Sequence, residues 1–291
     1  MTQPCVAPLL RLALAASIAA TGLGAAPALA HEGTSWEIRQ LDARLAGDPG
    51  SAPLHLKRGE AYRARGDWRS AQLDYEAARR LAPGLAAVDL AEGWMWVDAG
   101  RPAQAEAVLD TFLARDPSHP TARSLRARAR TALGRPLEAA DDLTNAIEAA
   151  GSGADPEWYL DRAAALAAAG PSHRATAIAG LDEGRARLGP LLLLDLAALD
   201  LEVAGGDLRA ALARLDRIAA GAPRREQWLV RRGEILERLG RPDEARLAYA
   251  AALTEIATLP ASRRDVAAVG ALQLSARDGL ERLAPDRGAS P

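Results

Sequence analysis

Four histidines and one cysteine, His31, His55, His119, His173 and Cys5, are the strongest metal ligands and nucleophiles in this 291-residue chain. No HExxH, CxxC, Gly-x-Ser-x-Gly or phosphate-loop pattern organises them. His31 has the most distinct chemistry in prospect. If the chain is cut after Ala30, its free amine and imidazole nitrogen can chelate Cu(II) together. The plainer alternative is that a residue following a cleavage site is merely tolerated there. His55 sits at a helical position that reads as packing, whereas His119 in "DPSHP" and His173 in "GPSHR" read as solvent-facing loop residues. The carboxylates Asp141-Asp142 and Glu234/Glu237 have helical spacings that suit solvated faces or ion pairs with nearby arginines better than an acid/base pair. "GSGADP", residues 151–156, has Gly-x-Gly with no strand before it and reads as a loop, not a phosphate cradle. No catalytic residue and no cofactor is expected.

The elements that hold these residues follow from composition and period. Ala, Leu, Arg and Glu dominate, while aromatic residues make up only 4% of the chain, which points to helices. Lys57 is the only lysine, a bias that a GC-rich coding sequence explains. A formal charge of −2 does not suggest a nucleic-acid partner. Residues 12–30, "LALAASIAATGLGAAPALA", follow a lone Arg11 and end in the small-x-small pattern of a signal-peptidase site. The expectation is a leader over 1–30, cut after Ala30, and a periplasmic or secreted chain with no membrane span after cleavage. Cys5 would leave with the leader, so the mature chain would be held by packing without a disulfide.

Small residues then recur at a fixed step. Ala71, Ala105 and Ala139 are 34 apart, as are Ala177, Ala211 and Ala245, with 38 between the two sets. Gly66, Gly100, Gly134, Gly170, Gly206 and Gly240 run in phase, and Gly59, Gly93, Ala127, Ala163, a small residue near Ala198, and Gly233 form a third series. Within each unit, apolar residues recur at three- and four-residue steps, predicting two amphipathic helices. Gly66 suits the turn between them and Asp67 suits the start of the second.

A 34-residue helix–turn–helix with Gly59, Tyr62, Gly66, Ala71, Tyr75, Ala78 and Pro83 at these spacings resembles the tetratricopeptide repeat. Six units fit: 52–85, 86–119, 120–153, 156–190, 192–225 and 226–259. Phe112 replaces a usual small residue in the second, Gly151 replaces the closing proline in the third, and the first helix of the fifth fits two registers one residue apart. Residues 34–47 and 262–283 read as capping helices over the two open ends, within one unit spanning 31–283, and 284–291 as a disordered tail.

The resemblance implies an all-α, right-handed superhelical solenoid of antiparallel helix pairs. It also implies a concave groove, lined by the first helices, that holds a segment of a partner. Carried over by position, the groove would present Leu56, Glu60 and Arg63, then Leu90, Trp94 and Val97, then Ser124, Arg128 and Thr131. Glu157, Leu160, Ala164 and Ala167 follow, and Gln227, Val230, Glu234 and Glu237 come last. Trp94 reads as an aromatic anchor or as a cover for the neighbouring helix, with Trp96 structural. Arg63 and Arg128 near the start and Glu234 and Glu237 near the end would polarise the groove. The Lys and Asn set of the family's carboxylate-gripping subclass is incomplete, since Lys57 is one position off. The implied function is a non-catalytic interaction scaffold or assembly factor for another exported protein or peptide segment. The alternative is a metal- or ligand-handling protein that uses His31.

Overall fold

The computed structural model describes residues 26–284, with side chains from residue 33 onward. Residues 1–25 of the expected leader and 285–291 of the expected tail lie outside it. Among the described residues all regular structure is helical, and the chain divides into one unit ending at Phe112 and another starting at Leu113.

The first unit contains α1 (Ala26–Gly47), α2 (Ala52–Ala64), α3 (Trp68–Leu81), α4 (Ala86–Asp98) and most of α5 (Pro102–Leu113). The expected cap over 34–47 is the latter part of α1, which starts at Ala26 and runs through Ala28–His31. Ile38, Leu41 and Leu45 of α1 are buried with Leu54 and Ala61 of α2. Gly66, at φ +77°, turns the chain out of α2. Asp67 then caps α3, accepting from the Ser70 N–H at 3.2 Å and the Ser70 hydroxyl at 2.8 Å. The two helices meet where there is no side chain: a Cβ on Gly59 would lie 2.5 Å from the Tyr75 ring. Ala71, Tyr75 and Ala78 are fully buried around this contact.

The second unit contains α6 (Pro120–Ala132), α7 (Pro136–Ala150), α8 (Pro156–Ala169), α9 (Arg174–Leu188), α10 (Leu192–Gly205), α11 (Leu208–Ala220), α12 (Glu226–Arg238), α13 (Pro242–Thr258), α14 (Ala261–Arg264) and α15 (Ala267–Arg282). Short 3-10 turns at Gly151–Gly153 and Pro171–His173 lie in the two loops where the 34-residue period slips. One core joins α6 to α10 around Leu143, Ile147, Tyr159, Leu181 and Leu194. A second joins α10 to α15 around Leu199, Leu215, Leu236 and Tyr249.

The continuous helix expected over 262–283 is in fact two. Val266, extended at φ −73° and ψ 130°, redirects the chain between them, and α15 then docks on α12 and α13. Tyr249 is clamped there between two glycines: a Cβ would lie 2.5 Å from its ring at Gly233 and 2.4 Å at Gly279.

Arginine–carboxylate pairs reinforce the helix pairs. Arg58 donates to both oxygens of Asp74 at 2.7 Å, and Arg126 donates to both oxygens of Asp142 at 2.6 and 2.8 Å. Both carboxylates are buried, and both pairs span 16 residues.

The Tyr249 clamp predicts opposite outcomes for two glycines of α15. Gly279→Ala forces a methyl into the ring and should cost about 1–3 kcal/mol, the usual range for overpacking. Nothing lies within 4 Å of a Cβ at Gly270, so Gly270→Ala should be neutral or stabilise by up to about 1 kcal/mol through helix propensity. Urea denaturation of both variants checks this; equal stabilities would rule out the clamp.

Candidate protein-interaction face

In the first unit, α2 and α4 carry the residues expected on the partner-facing side. Glu60 is exposed as a residue, yet partial burial of its carboxyl pushes it up. Arg63 and Lys57 oppose that shift and Glu37 adds to it. Both facts fit a side chain standing between neighbouring helices. Arg63 stacks its guanidinium on the Trp94 ring at 4.8 Å and donates to Asp98 at 2.5 Å. Trp94 is 37% exposed, so it covers the Arg63 side chain of α2 while leaving much of its ring to solvent. The ring therefore makes a covering contact with a side chain of the neighbouring helix. Trp96 is half-buried against the core with Tyr62. Leu56, Leu90 and Val97 are half-buried beside this group.

In the second unit Arg128 of α6 is exposed and acts electrostatically on Asp161 of α8. Burial pushes the Asp161 carboxyl up, Glu157 and Asp155 add to the shift, and Arg128 opposes it. Ser124 is buried and donates to the Thr121 carbonyl at 3.0 Å, so it is not offered to a partner. Thr131, Glu157 and Ala164 are exposed, and Leu160 and Ala167 half-buried. Further on, Gln227 is exposed, Val230 is buried, and half-buried Glu234 accepts from the Ser275 hydroxyl at 3.4 Å.

Glu237 is paired within the chain: the Tyr249 hydroxyl donates to it at 2.5 Å and the Arg282 guanidinium at 2.9 and 3.2 Å. The Arg282 bonds hold its carboxyl below the ordinary range. The expected polarity weakens accordingly, since Arg63 is matched by Asp98 and Glu237 by Arg282.

The histidines also differ from expectation. His55 places Nδ1 2.8 Å from Asp74 and Nε2 3.2 Å from the Pro49 carbonyl, joining a polar cluster as well as packing. His119 is the N-cap of α6, its ring nitrogen accepting from the Ala122 N–H at 3.1 Å. His173 is half-buried. His31 falls within α1, and its side chain lies outside the described residues. Among the described residues, no three His, Cys, Asp or Glu side chains gather as a metal site. Of the paired carboxylates, Asp142 is buried among Arg123, Arg126 and Arg130.

A profile described as Tetratricopeptide repeat matches residues 56–120, 90–155 and 196–260, more than half of the chain. The chain belongs to the tetratricopeptide repeat family. Solved members of this fold are similar over most of its length. The C-terminal part of a tetratricopeptide repeat-containing protein from Cytophaga hutchinsonii matches with a TM-score of 0.64 and 15% identity, over 87% of this chain and 97% of the other. PilW, a widely conserved type IV pilus biogenesis factor, matches with a TM-score of 0.54 and 21% identity, over 67% and 90%. A tetratricopeptide repeat protein from Parabacteroides merdae matches with a TM-score of 0.50 and 15% identity, over 86% and 99%. Curated proteins give no significant match. The tetratricopeptide repeat fold is generally a non-catalytic scaffold for protein partners.

The Glu237–Arg282 pair makes a pH prediction. A carboxyl held down in the folded state stabilises fully above its unfolded value of about 4.3, and this contribution is lost as pH falls through the folded value. Glu237→Gln should therefore lower the melting temperature at pH 7, and the gap to wild type should close by about pH 3. A gap of the same size at both pH values would show that the ion pair contributes nothing.

Proposed function

We propose that this chain is a periplasmic scaffold or assembly factor that holds a segment of another exported protein against the outward faces of its first helices. The reading is supported by the family, whose members bind protein partners, and by the apolar run over residues 12–30 that ends in Ala28-Leu29-Ala30. The observation that carries it is Trp94: a large aromatic side chain left 37% exposed on a first helix, its ring already fixed by Arg63. A pre-ordered aromatic of this kind binds a partner with little entropy cost and a large apolar contact. Nucleic acid is a poor match for a chain of net charge −2, and no described helix is long and apolar enough to cross a membrane.

The test places a photo-crosslinking residue at position 94, at position 128, or at Leu247, which is 72% exposed on the second helix α13. The full chain is expressed in its source cells with its own leader. Expected is an exported protein crosslinked at 94 in the first unit, an exported protein crosslinked at 128 in the second, and none at 247. Crosslinking only at 247, or none at any position, overturns the reading. Mass spectrometry of the purified chain gives the mature N-terminus; retention of residues 1–30 would remove the periplasmic assignment. Any first residue other than His31 would also remove the copper-chelating alternative.

A further inference from the structure

We propose that α8 and α10 form a docking face for an amphipathic helix whose apolar stripe is flanked by basic residues. The proposal rests on the scaffold reading above and names the chemistry of the segment that the second unit takes. On α8, Glu157, Leu160, Asp161, Ala164 and Ala168 recur at steps of three and four and share one face. On α10 the matching row is Leu193, Leu196, Asp200, Val203 and Ala204. The two helices pack against each other, with Leu160 of α8 and Ala197 of α10 resting on the same core.

This face is apolar where a fold alone would leave it polar. Leu192 and Leu193 are 50% and 45% exposed at the start of α10. Ala164 and Ala168 of α8 and Ala204 of α10 are exposed, while Arg231 and Arg238 of α12 reach the far part of the α10 row at Asp200 and the Val203 carbonyl. Charge then selects the visitor. Asp200 is already paired with Arg231 at 2.5 Å. Glu157 and Asp161 have no ion-pair partner among the described residues, and Arg128 is the one cation that acts on Asp161, against both Glu157 and Asp155. Leucine side chains next to unmatched carboxylates complement a helix with leucine-like residues on one stripe and lysine or arginine beside it.

Other occupants fit less well. A second copy docked symmetrically would set these carboxylates against their own equivalents. An anionic lipid surface would be repelled by them.

The experiment uses the full chain and three labelled 18-residue peptides, read by fluorescence anisotropy at roughly 0.1 M salt, where the Debye length is about 10 Å. The first has leucines at helical steps with lysines elsewhere, the second has glutamates in place of the lysines, and the third is a scramble of the first without a stripe. Expected is binding of the leucine–lysine helix at least tenfold tighter than either other peptide. Leu193→Asp should abolish that preference, and Glu157→Lys with Asp161→Lys should transfer it to the leucine–glutamate helix, circular dichroism confirming that each variant is folded.

Equal binding of the scramble, or an unchanged preference in the double variant, overturns the proposal. So does a dimer in sedimentation that Leu193→Asp converts to monomer, since a second copy would then own the face. Crosslinks at positions 94 and 128 without peptide binding would leave the scaffold reading standing and remove only this inference. Peptide binding without those crosslinks would do the reverse.

Discussion

The two helices of a pair come closest where one of them has almost no side chain, and much of the structure depends on that contact. Gly59 receives Tyr75, Gly93 receives Leu109 and Gly233 receives Tyr249, each 16 residues later and each closer than a Cβ would allow. In all three pairs a glycine in the left-handed region follows seven residues after the first glycine, at Gly66, Gly100 and Gly240. Close approach and turn are therefore locked to one spacing, which the period of 34 repeats. The fifth pair shows what happens without the small residue. Leu199 stands seven residues before Gly206, where the other pairs have glycine or alanine, and buried Arg214 reaches Glu202 of α10 and Asp182 of α9. A charged network there takes over a role that close packing has elsewhere.

Arginine is used throughout in ways that lysine could not match. Its planar fork donates to both oxygens of Asp74 from Arg58 and to both oxygens of Asp142 from Arg126. Removing charged groups from water is costly, and an apolar pair of similar volume could be as stable. The buried carboxylates are nevertheless well satisfied: Asp74 has both Arg58 and His55, and Asp142 has three arginines. A buried carboxylate stripped of its partners would cost about 3–5 kcal/mol, and the several partners of each protect it from the loss of any one. Coding bias can supply the arginines, but their geometry is part of how the pairs hold.

The helices were legible in the sequence because their constraint is local and periodic. Gly66 and Asp67 act within one pair, and Ala71 and Tyr75 stand at fixed steps from Gly59, so spacing alone reveals them. The cap at His119 also had a readable signal, since it stands directly before Pro120, the first residue of α6. Repeat phase could equally have found the Arg63–Asp98 contact, which spans one period plus one residue. Nothing in the sequence announced Arg282 as the partner of Glu237. They are 45 residues apart, and the break at Val266 sets α15 in a register that the 34-residue series does not continue. Side-chain pairing across a cap depends on that one backbone turn, which periodicity does not encode.

The same distinction separates what builds the fold from what is left to meet a partner. Inner positions of each pair must be small, aromatic or paired, because burial penalises anything else. Outward positions of the first helices are under no such constraint, since water satisfies whatever stands there. Some of these side chains are nevertheless taken up by neighbours, as Arg63 is by Asp98 and Asp200 by Arg231. Others are taken up only in part: Trp94 stays 37% exposed beneath Arg63, Leu193 is exposed, and Glu157 and Asp161 make no ion pair among the described residues. These residues add little to folding, and they differ from one pair to the next. A surface that varies along a regular scaffold can fix one segment in one register, whereas a surface that repeated with the fold would accept the same segment at every step of 34.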